Sequence, residues 1–210
     1  MATDVRVCFV GDSFVAGVGD PEHLRWVGRV AADSHARGRP LTAYNLGVRR
    51  DSTAEVLARL RNECTARLPT GVQAGVVLSV GVNDTTLLGG RPRVAAAYSG
   101  ANLDMMLRQT RGAGWSTLVV GPPPVDDEYQ NDRIAELDAV FGTLCRRRGV
   151  PYLGVLADLR RHDVWRGEVR AGDGAHPGSA GYRVLADLVL PAWSVWLAGL
   201  SGRRWATPTA

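Results

Sequence analysis

The sequence predicts an open, doubly wound parallel α/β sheet. Short apolar, β-branched runs alternate with stretches of helical periodicity, the order that builds a parallel sheet with helices on both faces. Most of the runs stop at glycine or proline, as strands do where the chain must turn. With 210 residues, 45% hydrophobic and 22% charged, the chain has the size and composition of one ordinary globular domain.

Residues 5–10 form a buried first strand that ends at Gly11. A helix is expected over 24–37, with Trp26, Val27 and Val30 on one face, and a second strand over 41–46. Ser52 with Glu55 three residues on makes a capping box for the next helix, whose Val56, Leu57, Leu60 and Leu68 keep helical spacing. Residues 76–80 are the clearest strand, running into Gly81-Val82-Asn83-Asp84. A long helix over 94–111 should close at Gly112 and Gly114. Strand 117–120 stops at Gly121-Pro122, and a helix follows over 132–148. A fifth strand is read at 152–156 and a final helix at 179–199, kinked by Pro191. Five strands in this alternation give a flavodoxin-like order, whose sites lie at the carboxyl edge of the sheet. Residues 1–200 are read as the domain and 201–210 as a loosely held tail.

The net charge is +4, carried by arginine alone, since the chain has no lysine. The arginines are scattered, and Arg146-Arg147-Arg148 before Gly149 suits a helix C-terminus, so nucleic-acid binding is not indicated. Cys8, Cys64 and Cys145 lie far apart without a C-x-x-C pair, which reads as buried thiols rather than a zinc site or a disulfide framework. The first residues lack a basic stretch and an apolar h-region, and no segment is read as long enough to span a membrane. A cytoplasmic protein without a membrane span is the expectation.

The unusual residues follow the strands. Gly11-Asp12-Ser13-Phe14 follows the first, Asn45-Leu46-Gly47 the second and Gly81-Val82-Asn83-Asp84 the third, while Asp173-Gly174-Ala175-His176-Pro177 precedes the last helix. A serine hydroxyl becomes a nucleophile when a base takes its proton, and histidine is the usual base. Asp173, three residues before His176, is placed to orient the imidazole and stabilise its charged form. A tetrahedral intermediate needs donors at its oxyanion, which the N–H groups of Ser13 and Gly47 and the Asn83 amide would supply.

The same segments resemble the blocks of the SGNH hydrolases, also called the GDSL esterase/lipase family. Ser13 matches the serine of the G-D-S block, Gly47 the glycine of N-x-G and Asn83 the asparagine of G-x-N-D. Asp173 and His176 match the acid and base of D-x-x-H, and the blocks run in family order from residue 11 to 177. The resemblance implies a three-layer α/β/α sandwich that hydrolyses ester or thioester bonds with no metal or organic cofactor. The partner it implies is a small-molecule acyl ester or thioester. One departure stands out: where many relatives have a second glycine after Asn45-Leu46-Gly47-Val48, this chain has Arg49-Arg50-Asp51. A bulkier, charged loop there would narrow the site or recruit an anionic group on the substrate.

Blander readings compete for each residue. A serine after the first strand also serves as a helix cap, Gly47 as a turn glycine, and Asn83 as a turn former with Asp84 as a cap. Asp12 is read as a structural residue that bonds neighbouring loops. His23, His35 and His162 are read as surface histidines, Asp126-Asp127-Glu128 as a solvated loop, and Trp26 as core, with Trp165 a candidate for a pocket wall. The glycines near residue 17 fit neither nucleotide-binding fingerprint. Three functions remain open at this stage: a hydrolase of short-chain acyl substrates, an acyltransferase sharing its acyl-enzyme, and a non-catalytic binding module.

Overall fold

The computed structural model describes residues 4–201. Five parallel strands, β1 (Val5–Gly11), β2 (Thr42–Gly47), β3 (Gln73–Ser79), β6 (Ser116–Val120) and β7 (Tyr152–Leu153), form one sheet in the order β2-β1-β3-β6-β7. This is the doubly wound order expected from the alternation. Gly11 pairs with Gly47 on one side and Ser79 on the other, so the loops that leave β1, β2 and β3 start at one level on one edge.

Strand alternation feeds two cores. Val5, Val7 and Phe9 of β1 face a cluster built with α2 (Arg25–Ala36), α7 (Asp163–Ala171) and α8 (Ser179–Ser201). Cys8 and Val10 face the opposite cluster, built with α3 (Thr53–Thr65), α4 (Ala96–Gly112) and α5 (Glu128–Arg148). Helices on both faces make the three layers. Gly75 lets the Trp196 ring of α8 lie against the sheet, because a Cβ there would stand 2.6 Å from the ring.

Several expectations change. The fifth strand ends at Leu153, and Leu156 instead opens a short helix, α6 (Leu156–Arg161), followed by α7. Both helices were missed: α6 has six residues and α7 nine, too short for periodicity to separate them from a loop. A small antiparallel hairpin, β4 (Leu87–Leu88) and β5 (Arg91–Pro92), turns through Gly89 and Gly90 and was also unread. Gly112 lies inside α4, and Gly114, at φ 74°, is the left-handed residue beyond its end. Asp126 and Asp127 are exposed loop residues as expected, but the Asp127 carboxylate also caps α5 through the Gln130 N–H at 2.9 Å, and Glu128 begins the helix.

The expectation that no segment has the length of a membrane span also needs correcting. Residues Ser179–Leu200 of α8 form a 22-residue stretch of mean hydropathy 1.4, long and apolar enough to cross a membrane. In this fold its Tyr182, Leu185, Val189, Trp193 and Leu197 are buried in the first cluster. Pro191 lies within the helix. The tail expected at 201–210 falls, apart from Ser201, outside the described residues.

Candidate active site

Gly11 ends β1 where only glycine fits, since a Cβ would stand 1.8 Å from the Ser79 carbonyl oxygen. The chain then turns directly into a one-turn helix, α1 (Ser13–Ala16). Asp12 caps it, its Oδ1 accepting from the Phe14 N–H at 2.9 Å, so the capping role that competed for Ser13 belongs to its neighbour. The Ser13 hydroxyl is left for other work. Its N–H, at the first position of the helix, has no intrahelical acceptor.

The His176 Nε2 lies 2.7 Å from the Ser13 Oγ, across 163 residues of sequence. On the far side of the ring, His176 Nδ1 lies 2.7 Å from Asp173 Oδ2. Asp173 Oδ1 also accepts from the N–H groups of His176 (2.8 Å) and Ala175 (3.0 Å), which fixes both residues in one tight loop. Partial burial pushes the Asp173 carboxyl up, but these N–H groups and the imidazole outweigh it and hold the pKa at about 2. The acid is therefore ionised at neutral pH.

Aromatic packing sets the imidazole from below. Phe14 lies 4.8 Å from the His176 ring and stacks at 6.4 Å on Trp165. Trp165 is 1% exposed and donates its indole N–H to the Pro124 carbonyl, so it braces the site from beneath; it lines a small cavity with Val125 and Asn131, not the depression beside His176. Trp26 is core, edge-on to Phe9. His23, His35 and His162 are exposed. The three cysteines are buried and unpaired, and burial pushes the Cys145 thiol up to about 12.

Asn83 reaches the same rim, where one amide N–H donates to the Asp51 carbonyl at 3.0 Å. Gly47 also lies there, but its N–H is engaged by the Asn45 Oδ1 at 3.0 Å. In this structure that N–H is turned to Asn45. Glycine is required at 47 for a different reason: a Cβ would stand 2.1 Å from the Ala16 nitrogen, because β2 packs directly on α1. Asn45 completes that contact by donating its amide to the Val15 carbonyl at 2.7 Å. Asp84 caps nothing. It is fully buried and accepts from the Thr53 N–H (3.0 Å), the Thr53 hydroxyl and the Ser99 hydroxyl (2.7 Å), tying α3 and α4 to the Asn83 loop.

Sequence reasoning missed Arg59 altogether. Its guanidinium donates to the carbonyls of Gly11 (2.8 Å) and Leu46 (2.9 Å) and to the Asp51 carboxylate (2.7 Å), joining the ends of β1 and β2 and the turn after β2 from behind. An arginine within α3 carries no local signal of that role. Among the described residues no group of three or more His, Cys, Asp or Glu side chains is placed to hold a metal ion. A serine, a base and an oriented acid in one hydrogen-bonded line are the parts of nucleophilic acyl chemistry.

The family model described as the GDSL-like Lipase/Acylhydrolase family matches residues 9–184. The chain belongs to that family. It is an ester-hydrolysing enzyme of the SGNH/GDSL type, on an α/β/α fold shared with the family's solved structures. Its sequence is 28% identical over 206 residues to a GDSL lipase of Mycobacterium tuberculosis, covering 92% of this chain and 83% of that one. The crystal structure of a lipase/acylhydrolase from Enterococcus faecalis superposes with a TM-score of 0.75 at 25% identity, covering 90% of this chain and 94% of the other. That of TesA gives a TM-score of 0.76 at 25% identity, covering 91% and 99%.

Proposed function

We propose that the enzyme hydrolyses carboxylic esters or thioesters through an acyl-enzyme on Ser13. The observation that carries this reading is the unbroken line Ser13 Oγ–His176–Asp173, with both bonds at 2.7 Å. In it, His176 takes the hydroxyl proton as Ser13 attacks the carbonyl carbon, then returns it to the leaving alcohol or thiol. Water repeats the cycle on the acyl-enzyme. Asp173, ionised and fixed by two backbone N–H groups, holds the ring tautomer with Nε2 toward the serine. The Ser13 N–H and the second amide N–H of Asn83 stabilise the oxyanion.

A small or short acyl group suits the surroundings. The depression of about 360 Å³ beside His176, lined by Gly19, Glu168, Asp173 and Gly178 among others, is open rather than an enclosed tunnel.

The reading is tested with p-nitrophenyl acetate. Ser13→Ala and His176→Ala should each lower turnover by about 10⁴-fold or more. Asn83→Ala should cost about 10²–10³-fold in kcat. A fluorophosphonate probe should label the native protein at Ser13. Wild-type turnover in Ser13→Ala sinks the assignment.

A further inference from the structure

The turn between Gly47 and Ser52 joins the two sides of the site. At one end the Val48 N–H donates to the Gly11 carbonyl at 3.0 Å, on the strand that delivers Ser13. At the other, Asn83 holds the Asp51 carbonyl, and Arg93 donates to the Arg50 carbonyl at 2.9 Å. The Asp51 N–H closes the turn on the Val48 carbonyl at 3.3 Å. Arg50 is its third residue and has φ 69°, the left-handed region where glycine is free of strain and any side chain is not.

The Asp20 loop also places non-glycine residues there, His23 and Arg25, but it is cinched by a carboxylate. Asp20 accepts from the N–H groups of Glu22 (3.1 Å) and Arg25 (2.5 Å) and pairs with Arg29 at 2.7 Å. The Arg50 side chain forms no such compensating bond. Arg49 and Arg50 are exposed, and neither side chain has a hydrogen bond or ion pair among the described residues. The acids nearby are already committed: Asp51 to Arg59, Glu55 to the Ser52 N–H and Arg93, and Asp84 to Thr53 and Ser99. Two guanidinium groups therefore stand without counter-charge on a turn bonded to the end of β1 and to Asn83, one of them on strained backbone. Strain of this kind persists at ligand-binding positions, and arginine matches carboxylate and phosphate geometry.

We propose that the Arg49-Arg50 turn is an anion-recognition element, and that the preferred substrates are esters carrying a carboxylate or phosphate group. This rests on the esterase reading above and names its substrate class. The test compares matched esters at low ionic strength: p-nitrophenyl hydrogen glutarate against p-nitrophenyl valerate for carboxylate, and butyryl glycerol phosphate against monobutyrin for phosphate. The wild type should prefer the charged member of at least one pair by about tenfold or more in kcat/KM, the worth of one charge-assisted contact. Whichever pair shows the preference identifies the anion, and 0.5 M NaCl should shrink it.

The double variant Arg49→Ala/Arg50→Gly should lose the preference through KM, while neutral esters turn over within about threefold of wild type. Arg50→Gly alone should melt no lower than wild type, because glycine relieves the left-handed residue. Equal kcat/KM within both pairs overturns the anion site and leaves the esterase standing, as does a preference that survives the double variant. No turnover of any of the four esters by the wild type overturns the esterase reading, and the anion site with it.

Discussion

The carboxyl of Asp12 lies one residue before Ser13 and is 1% exposed, with Oδ1 taken by the Phe14 N–H and Oδ2 without a partner. Burial pushes its pKa up; the Phe14 N–H opposes that, and the nearby Asp84 and Asp51 add to it, giving about 7. The folded state thus holds the Asp12 proton more tightly than the unfolded chain, where a carboxyl titrates near about 3.9. The stability from this group is complete below about pH 4 and is lost as pH rises through about 7. Asp12→Asn keeps the Phe14 cap and cannot ionise. It should flatten that decline and raise unfolding stability at pH 8, by at most about 4 kcal/mol. Urea denaturation of both proteins at pH 5 and pH 8 measures it, and an unchanged pH dependence contradicts the assignment. The hydrogen-bonded line of Ser13, His176 and Asp173 was legible in sequence because each residue lies in a short local pattern. The bond from the Gly47 N–H to Asn45 is local, two residues back, but it depends on a side-chain rotamer and so left no pattern in the sequence.

Among the elements, α3 and α4 meet the catalytic rim through one carboxylate. Asp84 takes the Thr53 N–H at the start of α3 and the Ser99 hydroxyl of α4, with no exposure to solvent. Burial pushes its pKa up, against the hydroxyl and N–H bonds that favour the charged form. Asp84→Ala strands those donors and should destabilise the fold by about 2–4 kcal/mol, read by urea denaturation. A loss under 0.5 kcal/mol, within the range of an ordinary surface change, contradicts this role. The α3 capping box was legible because Ser52 and Glu55 are three residues apart, and both halves of it form. The hairpin, α6 and α7 were not, since two to nine residues give too few repeats for a period to show. The Arg59 clasp, and the reach of Asp84 back to Thr53 across 31 residues, are set by packing and leave no sequence pattern.

Over the whole molecule, the first and last parts of the chain are sewn together beside the sheet. The Tyr182 hydroxyl donates to the Val18 carbonyl at 2.8 Å, Ser179 to Asp20 at 2.7 Å and the Trp193 indole to Ser34 at 2.7 Å. These bonds place the His176 loop over α1, and a Cβ at Gly19 would stand 2.6 Å from the Pro177 carbonyl oxygen. Tyr182→Phe should cost about 1 kcal/mol of stability, the worth of one hydrogen bond, with the ring packing kept. The denaturation midpoint measures it, and an unchanged midpoint contradicts the stitch. The five-strand order was legible from alternation alone, since parallel strands need crossovers and crossovers here are helices.

The sequence separation of 163 between Ser13 and His176 gives the enzyme a built-in report on its own completeness. No fragment released midway through synthesis holds both partners, so an unfinished chain carries a serine without its base. Reaction of Ser13 with an organophosphonate therefore counts finished molecules. Labelling followed along a urea titration should vanish no later than the bulk fluorescence transition, turning the proposed nucleophile into a gauge of assembly.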